Sequence, residues 1–175
     1  MPTRRRFLAL TGATALVPLS ARAVPDDPLA MATTFGHDLV DLPLEPLRLS
    51  EEDWRERLSP EAFRVLREES TERAFTSPLN DESRAGTYTC KGCALPLYRS
   101  EVKFDSGTGW PSFSEAIRGA VATKPDRSLF LGTRTEVHCA RCEGHLGHIF
   151  EDGPAPTGNR HCLNGVALEF LPDAA

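Results

Sequence analysis

Apolar positions change their spacing partway along the chain. Between residues 50 and 70 they recur at helical intervals. Ser50 precedes Glu51, Glu52 and Asp53, an N-cap followed by acids in the first turn, where they suit the helix dipole. Trp54 and Leu58 lie four apart, on one helical face. Ser59 and Pro60 make a second start, a cap and then a first-position proline, and Ala62, Phe63 and Leu66 give that helix an apolar side. Two short helices are therefore predicted over 50–70. From Thr87 onward, short β-favouring runs alternate with Gly, Pro and Asp: residues 87–89, 97–98, 121–123, 129–137 and 166–170. The predicted fold class is mainly β, a compact antiparallel domain behind short N-terminal helices. There is no βαβ alternation and no glycine-rich phosphate loop, which argues against a nucleotide-binding α/β fold.

Upstream of the helices the pattern dissolves. Residues 24–49 carry Pro25, Pro28, Pro43 and Pro46 and read as a proline-containing linker or wrapping arm. Residues 1–23 read as an address. Arg4-Arg5-Arg6-Phe7-Leu8 resembles the leader of the bacterial twin-arginine export system, a mildly apolar stretch follows, and Ala21-Arg22-Ala23 offers a small-x-small cleavage site. No apolar run reaches the length of a membrane span. The expected destination is the periplasm, with no membrane role beyond export.

Composition refines this picture. The 175 residues are 40% hydrophobic and 26% charged, in keeping with a globular domain plus an appendage. The formal net charge is −5, but residues 1–23 hold four arginines and no acid. Removing those four from the 20 basic residues leaves 16 against 25 acids, so the mature domain carries −9. Such a charge disfavours nucleic acid, whose non-specific affinity comes from lysine and arginine on phosphates. A monomer is the default expectation.

Five cysteines are an odd number. Cys90-Lys91-Gly92-Cys93 and Cys139-Ala140-Arg141-Cys142 are two C-x-x-C knuckles, which together offer four thiolates to one structural, closed zinc site. Two redox dithiols or two disulfides are the competing readings. A route that exports folded protein would let Zn2+ load in the reducing cytoplasm. The fifth, Cys162, lies in Arg160-His161-Cys162-Leu163-Asn164. Strand alternation places Arg160, Cys162 and Asn164 on one face, continued by Val166, Leu168 and Phe170. An arginine beside a thiol favours the thiolate, although a buried structural cysteine is an equal reading of the spacing. Gly144-His145-Leu146-Gly147-His148 could supply acid–base groups, and the loop from Phe104 to Phe113 presents Trp110 among glycines and a proline.

Taken together, these segments resemble the type B methionine sulfoxide reductases. The matching stretches are Ala74 to Asn80, Gly86 to Cys90, Lys103 to Phe113, Arg134 to Val137, Gly144 to His148 and Arg160 to Asn164, so that the resemblance covers about residues 50–171. It implies two antiparallel sheets in a β-tent-like arrangement, with zinc on Cys90, Cys93, Cys139 and Cys142. It implies Cys162 as the nucleophile that reduces the R-diastereomer of methionine sulfoxide, in proteins, through a cysteine sulfenic acid. Trp110 would pack on the substrate's S-methyl group, His145, His148 and Asn164 would line the polar side, and Arg160 would support the thiolate. Many relatives carry a resolving cysteine where this chain has Thr108. The expected reductant is therefore an external thiol or a thioredoxin-like donor. An exported zinc-knuckle binding module and a thiol peroxidase are the alternative functions.

Overall fold

The computed structural model describes residues 44–128 and 132–174. The expected leader and most of the proline-containing arm lie outside the described residues. Of that arm, Leu44, Leu47 and Leu49 rest on the core, and Leu47 N–H donates to Arg141 C=O at 2.9 Å. No described helix is long and apolar enough to cross a membrane.

Both helices start where their caps predict. In α1 (Glu51–Arg57) the Ser50 hydroxyl accepts from Asp53 N–H, and the Asp53 carboxylate accepts from Ser50 N–H. A reciprocal cap of this kind stabilises a helix by ~1 kcal/mol. In α2 (Pro60–Glu68) Ser59 accepts from Ala62 N–H, and Ala62, Phe63, Val65 and Leu66 form the buried face.

The strands form two antiparallel sheets. One has three strands in the order β2 (Pro96–Arg99), β1 (Gly86–Cys90), β9 (Leu168–Pro172). The other has six, in the order β3 (Lys103–Phe104), β4 (Ser112–Phe113), β8 (Arg160–Leu163), β7 (His145–Phe150), β6 (Gly132–Cys139), β5 (Val121–Ser128). Aromatic rings join them. Tyr88 of β1 meets Phe113 of β4 edge-on at 4.9 Å and Phe170 of β9 at 5.0 Å, while Tyr98 of β2 lies 4.6 Å from Phe113. Tyr88, Tyr98 and Phe113 are fully buried, which makes this cluster the seam between the sheets. Each such ring pair adds ~0.5–1.5 kcal/mol beyond the area it buries.

One expectation needs correction. The run from Arg160 to Phe170 is not one strand with a continuous face. It breaks at Asn164, passes through a single 3₁₀ turn (Gly165–Ala167) and resumes as β9 in the other sheet. The break is held by Glu72, whose carboxylate accepts from the N–H groups of Gly165 and Val166 at 2.6 and 2.9 Å. At Gly165 a Cβ would fall 1.9 Å from Ser77 Oγ, so only glycine fits this crossing. The histidine segment forms β7, a central strand of the large sheet.

Candidate active site

The two knuckles are built alike. Ala94 N–H returns to Cys90 C=O at 2.7 Å, and Glu143 N–H to Cys139 C=O at 2.9 Å. Ala94 (φ 61°) and Glu143 (φ 58°) both take the left-handed conformation that closes such a turn. This arrangement brings the four sulfurs within 4.8 Å of one another, with Cys90 and Cys142 at 3.7 Å and Cys93 and Cys139 at 3.5 Å. A tetrahedral zinc thiolate centre with bonds of ~2.3 Å places its sulfurs ~3.8 Å apart, so the cluster fits the ion. These distances are too long for a disulfide bond of ~2.05 Å, and all five cysteines are free thiols. Hydrogen bonds from its neighbours, chiefly Cys139, push the Cys90 thiol far up, and burial does the same to Cys139. Four thiolates packed so closely need a cation to compensate their charge. The donor set is closed and buried, so the ion holds structure and has no open position for substrate.

The second site is a row across the large sheet. Register places Ser112 (β4), Cys162 (β8), His148 (β7), Glu136 (β6) and Lys124 (β5) directly opposite one another, so their side chains share a face. A register shift between β6 and β7 turns His145 onto that face as well: the two imidazole centroids lie 5.4 Å apart. Gly147 allows the close approach of β8, since a Cβ there would fall 2.1 Å from Cys162 O.

Each histidine has an acidic neighbour. His148 Nε2 lies 2.8 Å from Asp126 Oδ2, and Arg134 pairs with the same carboxylate. Burial lowers the His148 pKa, while its hydrogen bond holds the Asp126 carboxyl below the usual range. His145, almost fully buried, has Nδ1 3.1 Å from Glu136 Oε1, off-line for a hydrogen bond. Glu136, equally buried, is also reached by Lys124, which pairs with Glu69.

Cys162 is half-buried. Burial pushes its thiol up, against the pull of Arg160 and a hydrogen bond from the Thr108 hydroxyl. The guanidinium acts in the expected direction, and burial outweighs it. Arg160 is itself engaged. It grips Asp152 through two hydrogen bonds of 2.9 Å, and its guanidinium lies 4.5 Å from the Phe150 ring centroid. Thr108 belongs to a hydroxyl chain: Ser106 Oγ is 2.8 Å from Thr108 Oγ1 and 2.7 Å from Ser112 Oγ.

Trp110 is half-buried, its Nε1–H donating to Glu72 C=O at 3.2 Å. Asn164 does not present its amide to the thiol face. Its Oδ1 accepts from Glu72 N–H, and its Nδ2 donates to Leu146 C=O. The structure therefore gathers Cys162, His148, His145 and Arg160 around one sheet face, with Trp110 tied in through Glu72. Glu72, Asp126, Glu136 and Asp152 are further residues of this site that the sequence pattern did not single out. Their partners lie on other elements of the fold, and only Glu136 stood within a matching segment.

Comparison with known proteins identifies a family. Residues 58–172 match the SelR domain model. A peptide methionine sulfoxide reductase MsrB of Agrobacterium fabrum is 46% identical over 132 residues, covering 75% of this chain and 98% of that one. Its namesake in Leifsonia xyli is 52% identical over 126 residues (71% and 90%), and that of Methanosarcina barkeri 52% over 122 (69% and 85%). A cluster of four cysteines fit for a metal, a fifth cysteine beside two histidines, and the match over residues 58–172 lead to one conclusion: the chain belongs to the SelR-domain family of peptide methionine sulfoxide reductases.

Proposed function

We propose that this protein reduces the R-diastereomer of methionine sulfoxide in oxidised proteins, with Cys162 as nucleophile. The observation that carries the reading is the direct pairing of Cys162 with His148 in the sheet, with Asp126 behind the imidazole.

The shifts at these two groups favour a neutral thiol beside a neutral imidazole. The Asp126 contact assigns the His148 hydrogen to Nε2 and leaves Nδ1 unprotonated. His148 takes the thiol proton, and Asp126 stabilises the imidazolium. The Cys162 sulfur attacks the sulfoxide sulfur, and the proton passes to the sulfoxide oxygen. A positioned proton donor of this kind contributes ~10²–10⁴-fold. The oxygen transfers to Cys162, which is oxidised by two electrons to sulfenic acid, while methionine is reduced and leaves. Trp110, locked by Glu72, offers a flat apolar wall to the S-methyl group, so that one configuration at sulfur turns its oxygen toward the donors. Zinc on Cys90, Cys93, Cys139 and Cys142 supplies structure alone.

Regeneration needs an external dithiol. The four other thiols lie in the metal cluster, and Thr108 occupies the position beside the sulfur. One donor thiol condenses with the sulfenic acid, releasing water and forming a mixed disulfide. The second donor thiol then frees Cys162 and leaves the donor as a disulfide. The proposal extends to residues 1–23 as a twin-arginine leader that delivers the domain to the periplasm. Retention of an Arg4→Lys/Arg5→Lys variant in the cytoplasm would support that address, and unchanged export would remove it.

The catalytic test uses purified, reduced protein with R- and S-methionine sulfoxide supplied separately. Reduction of the R form alone, lost in Cys162→Ser, is the expected result. No turnover of either form would leave a binding module, and turnover of hydroperoxide alone would make the protein a thiol peroxidase. A disulfide between Cys162 and another cysteine of the chain after turnover would refute the external donor.

A further inference from the structure

Phe75 is the one large hydrophobic residue among those described that stands exposed, at 74%. It also adopts a backbone that aromatic residues rarely take, with φ +64°. Strained, exposed positions persist when their surroundings fix them, and such positions cluster where ligands are held. Here the surroundings are the tryptophan loop. Phe75 N–H donates to Gly109 C=O at 2.7 Å, and Asn80 Nδ2–H donates to the same oxygen at 3.0 Å. The Phe75 ring lies flat on the Gly109 backbone, so closely that a Cβ at 109 would come within 2.7 Å of it. Gly109 itself needs φ +86°. Two left-handed residues are thus clamped together, and the effect is to hold an exposed phenyl ring beside Trp110.

The ring and the indole share a cleft of about 220 Å³ with Phe104. Its rim is charged. Asp81 and Asp105 are exposed, and Lys103 is half-buried with Nζ donating to Asn80 C=O at 2.8 Å. Two acids against one engaged lysine give the rim a negative bias. Thr108, next to Gly109 in this loop, hydrogen-bonds the Cys162 thiol, so the loop that lines the cleft also borders the reacting sulfur. We infer that the Phe75–Trp110 cleft is a subsite for the residue flanking the oxidised methionine in an extended polypeptide, accepting an apolar side chain and disfavouring an acidic one. The inference deepens the proposed activity and rests on it.

The test compares three capped tripeptides with methionine-R-sulfoxide at the centre, flanked on both sides by Gly, by Leu or by Glu. For the unaltered protein, kcat/KM is expected to be about tenfold higher with Leu than with Gly, through KM, and lower with Glu than with Gly. Phe75→Gly accepts the φ of +64° without strain and removes the ring. It is expected to abolish the Leu-over-Gly preference without lowering the melting temperature. Phe75→Leu is expected to restore part of the preference, and Asp81→Asn/Asp105→Asn to relieve the discrimination against Glu. Equal rates for the Leu and Gly peptides, or a preference that survives Phe75→Gly, would overturn the subsite. So would a loss that falls equally on all three peptides, since that marks a structural role for the ring. No turnover of any peptide by the unaltered protein would instead remove the reductase reading beneath it.

Discussion

His161 directly precedes Cys162 and points the other way, into the core. It is opposed in register by Phe113 and Ile149, and its Nδ1 lies 3.0 Å from the Tyr98 hydroxyl. Burial lowers its pKa from 6.5 to about 4. The sign follows from proton uptake. Between those values the unfolded chain binds a proton at this site and the folded chain does not, so stability is complete above pH 6.5 and falls as the pH drops toward 4. The full difference corresponds to ~3 kcal/mol, of which ~2 kcal/mol is lost between pH 7.5 and pH 5.0. His161→Phe removes the titration and keeps a ring of similar size. It also strips the buried Tyr98 hydroxyl of its partner, at ~1–3 kcal/mol independent of pH. Tyr98→Phe in the same chain offsets that penalty. Urea unfolding of the zinc-loaded protein at both pH values gives the comparison. Acid also weakens the metal cluster, but equally in both proteins, so that term cancels. The parent should lose ~2 kcal/mol more than the double variant over this interval. Equal losses would refute the reasoning.

Other perturbations separate the parts of the site. Arg160→Gln removes a cation that favours the thiolate, so the Cys162 pKa rises further and its alkylation by iodoacetamide at pH 7.5 slows up to ~tenfold, a tenfold change corresponding to ~1.4 kcal/mol; an unchanged rate would show that the guanidinium does not act on the sulfur. Gly147→Ala drives a methyl group into the Cys162 carbonyl, 2.1 Å away, and is expected to displace β8 and lower kcat ~10²-fold, as ångström-scale misplacement does; steady-state kinetics near parental values would mean the strands can part without loss. Cys93→Ser breaks the closed donor set, and metal analysis should fall well below the one zinc per chain expected of the parent, with loss of cooperative thermal unfolding.

Sequence pattern located what local chemistry controls. Both helices begin at serine caps that bond within three residues, so their starts are readable without any partner. The two knuckles are legible for the same reason, since a tight C-x-x-C turn fixes two sulfurs by itself. What the pattern could not show depends on register. Nothing near Asp126 announces that it will stand behind His148, because the contact crosses from β5 to β7. Glu136 reads as one polar residue in an alternating strand until its opposite number proves to be His148 and its diagonal neighbour His145. Glu72 is an acid after α2, yet it caps the turn that breaks the run from Arg160 to Phe170, and its carbonyl holds Trp110. Period-2 alternation predicted one continuous face for that run. The break arises from the need to cross between two sheets, which no local spacing encodes.

The metal cluster and Cys162 are joined by this same geometry. The second knuckle ends at Cys142, and His145 follows three residues later. Cys139 N–H bonds Gly144 C=O at 2.9 Å, so the knuckle closes directly into the β6–β7 hairpin. The register shift in that hairpin is what brings both imidazoles onto the Cys162 side. A slip of one residue would send His148 to the core face, because the side-chain period in a strand is two. On the opposite flank, Lys91 of the first knuckle donates its backbone N–H to Ala167 C=O at 2.8 Å, within the turn that leads away from Cys162. Zinc held by the two knuckles would therefore grip both approaches to β8. Its loss should first disturb the alignment of histidine with thiol, before the aromatic seam between the sheets gives way.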